Sequence, residues 1–206
     1  MYLVSEERLN KMKRILETRQ DTLRVFMDYV YSPHNLSAIV RTCDAVNVGK
    51  LYYRHQKKVK LNNEITMGAH KWIFHEYVDD IEKFYKDIKS QGYQVVVTLL
   101  DEDTVDFREV DYTKPTLIVL GNEVDGASEI SIKYADKKVI IPMYGMSQSL
   151  NVSVANAVIL YEAQRQRAAK GMYDKPQLPQ EIIEKTLKKW AYDDIIEENL
   201  KRPRKK

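Results

Sequence analysis

Short apolar runs alternate with amphipathic helical segments along most of the chain, and this alternation limits the possible fold more than any other feature. Residues 94–100 and 116–120 are almost continuously apolar, as in strands that are buried on both faces of a parallel sheet. Hydrophobic residues with helical spacing follow or precede most of these runs. The pattern predicts an α/β domain with a mostly parallel sheet flanked by helices, in which ligands bind beyond the carboxyl ends of the strands.

The same pattern predicts the order of the elements and three regions of the chain. The expected strands are residues 24–31, 50–55, 73–78, 94–100, 116–120 and 138–141, and the expected helices are residues 5–20, 35–47, 79–91, 151–170 and 180–199. Asn35 is expected to cap the second helix. We expect a helical extension at 1–23, the α/β domain at 24–170, and a C-terminal helix with a basic tail at 171–206.

Composition excludes several classes of protein. The chain has 206 residues, of which 44% are hydrophobic and 31% charged, so it is not a wholly disordered chain. Its apolar runs are too short to span a bilayer and its first residues lack a signal-peptide core, so we expect a cytoplasmic protein. The single cysteine, Cys43, excludes an internal disulfide. His34, His55, His70 and His75 lack metal-ligand spacing with acidic residues, so no metal site is expected.

Positive charge is concentrated at the ends of the chain. Residues 25–168 carry a net charge of −2, whereas the two flanking segments together carry +5. Five of the last six residues are basic: Lys201, Arg202, Arg204, Lys205 and Lys206. A tail of this kind is either a solvated end without a partner or a contact for a polyanion such as RNA, and charge alone leaves both interpretations open.

Three segments carry more polar and small residues than a plain scaffold needs. In residues 33–46, Arg41 lies in a helical stretch that is otherwise uncharged from Asn35 through Cys43, where its guanidinium can bind a phosphate bidentately. Residues 120–128 follow a buried strand and contain Gly121 and Gly126, and residues 140–156 join a strand to an alanine-rich helix. Each segment also fits a structural role, as a capped helix, a polar turn, or a helix capped by Ser149 or Asn151. The chain contains neither a dinucleotide fingerprint nor a P-loop.

Taken in order, the three segments resemble motifs one, two and three of the SpoU (TrmH) branch of the SPOUT RNA methyltransferases. The matching stretches are Asn-Leu-Ser-Ala-Ile-Val-Arg-Thr at 35–42, Gly-Asn-Glu-Val-Asp-Gly at 121–126, and Ile-Pro-Met with Ser-Leu-Asn-Val-Ser-Val-Ala at 141–155. The resemblance covers about residues 24–168. It implies S-adenosylmethionine as methyl donor, an RNA ribose 2′-hydroxyl as acceptor, a homodimer, and a trefoil knot, which is a rare exception among folds.

The lengths of the extensions indicate a subfamily. Relatives that modify rRNA usually carry an added amino-terminal RNA-binding domain, which the first 24 residues are too short to form. The smallest relatives, which act at the wobble position of tRNA, lack long extensions. The chain therefore most resembles the tRNA enzymes that methylate guanosine 18 of the D-loop. Methylation of another tRNA or rRNA nucleotide, and a non-catalytic RNA-binding module of the same fold, stay open as alternatives.

The resemblance also implies roles for individual residues. Arg41 is the expected catalytic residue, and because arginine hardly ever deprotonates, we expect it to hold the adjacent phosphate and stabilise the forming alkoxide rather than act as a base. Asn35 is expected to orient Arg41 or the ribose. The remaining expectations are Glu123, Ser149 and Asn151 for the shape of the catalytic loops, Thr98, Gly121, Ile141 and Leu150 for donor contacts, and Arg41 with the five basic tail residues for RNA contacts.

Overall fold

The computed structural model describes residues 4–55, 61, 66, 68–99, 101, 103–122 and 124–201. The chain forms two compact units. The larger unit is Gln20–Gly171, and the smaller one combines the residues before Gln20 with those after Gly171. Four residues of the predicted RNA-binding tail, Arg202, Arg204, Lys205 and Lys206, lie outside the described residues, as does Glu123.

The larger unit contains a seven-stranded sheet in which every strand pair is parallel. Its strands in chain order are β1 (Gln20–Asp28), β2 (Val48–Arg54), β3 (His75–Tyr77), β4 (Gln94–Thr98), β5 (Val105–Asp106), β6 (Thr116–Leu120) and β7 (Lys137–Ile140). Their spatial order is β3-β2-β1-β6-β4-β7-β5. The predicted α/β class with a mostly parallel sheet is confirmed, and the trefoil knot stays a prediction.

Six α-helices occur in the described part of the chain. They are α1 (Glu6–Glu17), α2 (Pro33–Ala45), α3 (Ile81–Ser90), α4 (Glu129–Lys133), α5 (Val152–Ala169) and α6 (Gln180–Lys201). Short 3₁₀ turns occupy Ala69–Trp72 and Phe107–Glu109. Five of the helices lie close to their predicted positions, whereas the short strand β5 and the one-turn helix α4 have no counterpart among the predicted elements.

Strand alternation builds an apolar layer on each face of the sheet. In β1, Val25 and Met27 belong to one buried cluster and Phe26 to the other. Buried residues of α2 and α5 cover the first face, while Tyr85 and Ile88 of α3 cover the second. Because both faces are covered, the strands β4 and β6 are nearly continuous apolar runs, as predicted.

The smaller unit contains α1 and α6, which pack against each other. Met12 and Leu16 of α1 are buried, as are Ile183 and Trp190 of α6. The Arg19 guanidinium lies 5.8 Å from the centre of the Trp190 ring, a cation–π contact. None of the helices in the described part of the chain is long and apolar enough to cross a membrane.

The first strand begins four residues earlier than predicted because a buried arginine binds its first residues. Arg167 of α5 is fully buried. Its guanidinium donates to Thr22 O at 3.0 Å, to Thr22 Oγ1 at 3.0 Å and to Gln20 Oε1 at 3.3 Å. It also donates to the carbonyl oxygens of Tyr112 and Lys114, at 2.9 and 3.1 Å, in the segment before β6. Gln20, which was expected to end the first helix, and Thr22 thereby belong to the sheet.

We predict that Arg167→Met lowers the free energy of unfolding by about 3 kcal/mol or more, because several buried acceptors lose a charged donor. Urea denaturation of the full chain measures this change. Arg165→Met is the matched control on the same helix, since Arg165 is exposed and binds Glu162, and exposed ion pairs stabilise little. Equal midpoints for the two variants would contradict the anchoring role of Arg167.

Candidate functional site

A cavity of about 580 Å³ opens at the carboxyl edge of the sheet. Strands β4, β6 and β7 end at nearly the same level, because the parallel register pairs Val97 with Val119 and Thr98 with Val139. The residues that follow these strands turn away from the sheet and form the wall of the cavity. This is the position at which open α/β sheets bind ligands.

The loop after β6 forms one wall of the cavity and closes on itself. A Cβ atom at Gly121 would collide with backbone atoms of Gly126 and Ala127, so only glycine allows this approach. The Asn122 amide donates to Gly126 O at 2.9 Å. The Asn122 side-chain oxygen accepts from the amides of Val124 and Asp125 at 2.8 and 2.7 Å. Both ends of the loop are therefore fixed against each other.

The segment between β7 and α5 forms the opposite wall. Asn151 is the N-cap of α5, and its Oδ1 accepts from Ser153 N at 2.8 Å and from Ser153 Oγ at 2.7 Å. Of the two caps that the sequence left open, Asn151 is therefore the one observed. Before it, Tyr144 and Met146 are almost fully exposed, at 95% and 101%. The loop thus exposes two large apolar side chains, while Gln148, Ser149 and Leu150 line the cavity.

Six of the predicted site residues meet at this cavity: Thr98, Gly121, Ile141, Ser149, Leu150 and Asn151. All four predicted donor contacts are among them. Glu123, the remaining predicted residue of the second motif, lies outside the described residues. The predictions for these side chains as donor or catalytic contacts stay predictions, whereas the convergence of the six residues on one cavity is observed.

Arg41 and Asn35 lie on α2 rather than in the wall of the cavity. Arg41 is exposed, and Asn35 is buried in the first turn, with 8% of its surface exposed. The prediction that Asn35 caps the helix is wrong. Ser32 is the N-cap, with its Oγ accepting from Asn35 N at 3.5 Å. Proline at the first helical position, Pro33, favours this earlier start.

Helix α2 nevertheless lies next to the cavity because it packs on α5. Leu36, Ile39 and Val40 of α2 belong to the same buried cluster as Ile159 and Leu160 of α5. The first turn of α5 lines the cavity through Val152 and Ala155. The helix that carries Arg41 is therefore fixed to the helix that forms the cavity wall.

Charged side chains are scarce in the wall of the cavity. Within the described lining, Asp125 is the single charged residue. Asp106 of β5, which is not among the lining residues, has its pKa lowered to about 2 by hydrogen bonds from Arg108. The described residues contain no group of three or more His, Cys, Asp or Glu side chains that could hold a metal ion. The cavity therefore offers amide, hydroxyl and aliphatic groups to a ligand.

Sequence reasoning missed several residues of the wall. Asn122, Asp125 and Gly126 line the cavity from the loop after β6, and Gln148 lines it from the loop before α5. Each lies within a segment that the sequence had singled out, so their proximity to the predicted residues was the available signal. Their side chains are short or polar, and such residues are equally common in ordinary turns.

Comparisons with known proteins agree with this geometry. The model described as "SpoU rRNA Methylase family" matches residues 22–161, and the one described as "SpoU, rRNA methylase, C-terminal" matches residues 165–203. Over 199 residues the chain is 57% identical to a protein of Aquifex aeolicus (strain VF5) named "tRNA (guanosine(18)-2'-O)-methyltransferase", covering 96% of this chain and 94% of the relative.

Two solved structures resemble the chain closely. The crystal structure of A. aeolicus TrmH/SpoU tRNA modifying enzyme has a TM-score of 0.86 at 57% identity, covering 92% of this chain and 98% of that one. The SpoU methyltransferase AviRb from Streptomyces viridochromogenes, in complex with the cofactor AdoMet, has a TM-score of 0.65 at 30% identity, covering 75% of this chain and 61% of that one.

We predict that Gly121→Ala distorts the loop after β6 and lowers the thermal midpoint of the protein by several degrees, because the added methyl group meets backbone atoms that cannot rotate away. Scanning calorimetry measures the midpoint. Gly145→Ala, in the loop before α5, is the control, since a Cβ there meets nothing within 4 Å. A Gly121→Ala protein with the same midpoint as the control would show that this close approach is not required.

Proposed function

The chain belongs to the SpoU methylase family, and we propose that it transfers a methyl group from S-adenosylmethionine to the ribose 2′-hydroxyl of guanosine 18 in tRNA. The observation that carries this proposal is the 57% identity to a tRNA (guanosine(18)-2'-O)-methyltransferase along nearly the whole of both chains. The cavity at the carboxyl edge of the sheet supports it, because residues of the second and third motifs line it together. With tRNA as substrate, the proposed place of action is the cytoplasm.

The cavity fits a donor of this size and chemistry. Its volume of about 580 Å³ lies within the range of small-molecule sites. We infer that Thr98, Gly121, Ile141 and Leu150 hold the donor, largely through backbone groups at the strand ends. The one charged residue of the described wall, Asp125, is acidic, which suits a ligand with a cationic centre. When bound, S-adenosylmethionine supplies a methyl group on a sulfonium that a ribose oxygen can attack.

The chain itself has to position the ribose and stabilise the oxygen as it loses its proton. We infer that the exposed guanidinium of Arg41 binds the phosphate next to the target ribose and stabilises the negative charge on its 2′-oxygen. A planar guanidinium can make two parallel hydrogen bonds to a phosphate. Asn35, in the first turn of the same helix, would orient Arg41 or the ribose. Glu123, Ser149 and Asn151 would complete the site around the two substrates.

The homodimer is part of the proposal. Helix α5 leaves Val154 and Tyr161 about half exposed, and the loop before it leaves Tyr144 and Met146 almost fully exposed. Apolar side chains of this size on one helix and its adjoining loop are typical of a surface that a second copy covers. Sedimentation equilibrium of the purified chain measures the oligomeric state directly.

We predict that Arg41→Ala lowers the rate of methyl transfer to unmodified tRNA by at least about 100-fold, while the affinity for S-adenosylmethionine is unchanged. Arg41→Lys should recover little of the rate, because a lysine lacks the planar fork. The measurements are incorporation of labelled methyl groups, mass-spectrometric mapping of the methylated ribose, and calorimetry with the donor.

The outcomes separate the parts of the proposal. A wild-type protein that methylates a ribose other than that of guanosine 18 would reject the nucleotide but keep the reaction. A protein that binds tRNA without any methyl transfer would be a non-catalytic RNA-binding module. Near-normal turnover of either Arg41 variant would remove Arg41 from the catalytic site.

We also predict that deleting residues 201–206 weakens tRNA binding and flattens its salt dependence. The slope of log affinity against log salt should become shallower by about 0.9 for each duplex phosphate that the tail neutralises in the full chain. A matched variant replaces the five basic residues of this tail by glutamine, which removes the charge and keeps the length. Titrations at several salt concentrations compare the three proteins. Coincident lines would leave the tail without a role in RNA binding.

A further inference from the structure

A buried carboxylate lies at the end of the first strand, directly behind the loop that forms one wall of the cavity. Asp28 is the last residue of β1 and is 1% exposed. Its Oδ2 accepts from Ser128 N at 2.9 Å and from Ser131 Oγ at 2.7 Å. Its Oδ1 is buried and has no hydrogen-bond partner among the described residues. A buried carboxylate is a costly way to satisfy one amide and one hydroxyl, so its presence requires an explanation.

The contacts around Asp28 fix the direction of its hydrogen bonds. Tyr85 of α3 donates its phenolic hydrogen to Ser131 Oγ at 2.6 Å. Burial raises the pKa of Tyr85 well above its usual range, so the phenol stays a donor. The Ser131 hydroxyl, which accepts from Tyr85, therefore directs its own hydrogen to Asp28. The carboxylate thus receives two hydrogen bonds on one oxygen, from the two ends of the first turn of α4.

The Ser128 amide, which donates to Asp28, lies next to the close contact between Gly121 and Ala127 in the loop after β6. Ser128 follows Ala127, whose backbone nitrogen packs against Gly121 with no room for a Cβ atom. Gly121 fixes the beginning of the loop at the end of β6, and the bond from Ser128 to Asp28 fixes its end at the end of β1. Since β1 and β6 are neighbours in the sheet, the loop is tied at both ends to adjacent strands.

The backbone beside Asp28 is strained. Tyr29 has φ 60°, in the left-handed region that residues other than glycine, asparagine and aspartate rarely adopt. Its amide donates to Arg54 O at 3.2 Å, and the Arg54 guanidinium lies 5.4 Å from the centre of its ring. Strained backbone of this kind tends to occur at functional sites. Here it ends β1 sharply, with Asp28 pointed at Ser128 and the following residues leading into α2.

We propose that Asp28 is a positioning residue for the methyl-donor site, whose carboxylate holds the Ser128 amide and thereby keeps the loop from Gly121 to Gly126 in the shape that binds the donor. The inference rests on the proposed function for the identity of that donor. Asp28 acts through the loop, since it does not itself line the cavity. Asp28 also connects the second motif with the first, because α2, which carries Arg41, begins five residues after Asp28.

The test compares four variants of the full chain by calorimetric titration with S-adenosylmethionine and by thermal midpoint. Asp28→Ala leaves the Ser128 amide without its acceptor and should weaken donor affinity by about tenfold, which corresponds to the net effect of one hydrogen bond. Asp28→Asn keeps an oxygen for both donors and should bind the donor within about twofold of wild type. Ser131→Ala and Tyr85→Phe lower stability without touching the Ser128 amide, and should also bind normally.

The comparison with stability distinguishes positioning from a purely structural role. The proposal is supported if Asp28→Ala alone loses donor affinity while the thermal midpoint falls in several of the four variants. Unchanged affinity in Asp28→Ala overturns it, and so does a loss of affinity that follows the midpoint across all four variants. If Asp28→Ala does not fold, Asp28→Leu fills the space without an acceptor and takes its place. A wild-type protein that does not bind the donor would reject the proposed function instead.

Discussion

The parallel register of the strands is the constraint on which the rest of the larger unit depends. Because every strand pair is parallel, the carboxyl ends of β1, β6, β4 and β7 lie along one edge, and the chain leaves the sheet there four times. All four exits lead into segments that line the cavity or carry Arg41. A register change of one residue in β6 would turn the apolar faces over and move Gly121 away from Gly126. Fold and site are therefore specified together.

Much of this arrangement could be predicted from the sequence because it follows local rules. The bounds of β6 agree with the apolar run at 116–120. Thr98 and Gly121, which the family resemblance implies as donor contacts, lie at strand ends, where such sheets bind ligands. Long-range contacts could not be predicted in the same way. Gln20 was expected to end the first helix and Thr22 to precede the first strand. Only Arg167, some 145 residues later in the chain, shows why they belong to that strand.

Local rules also failed where two of them competed. Ser32 and Asn35 are both good N-cap residues, and only Pro33, which is favoured at the first helical position, decides between them. The sequence indicated that another group could approach the backbone of Gly121 closely, but it did not identify that group. The structure shows that the chain's own backbone at Gly126 and Ala127 takes that space. The glycine therefore sets the shape of the loop, and the bond from Ser128 to Asp28 holds the other end of the same loop.

Helix α5 connects the anchoring of the sheet with the geometry of the site. Its cap, Asn151, lies at the cavity, while Arg167, near its other end, is buried among the first residues of β1 and the segment before β6. The two positions are about 24 Å apart along the helix, which is comparable to the length of the longest strand, β1. Since a helix of this length bends little, the buried guanidinium at one edge fixes where the helix begins at the other. The wall of the cavity is thus held from the opposite edge of the sheet by hydrogen bonds of residues that do not line it.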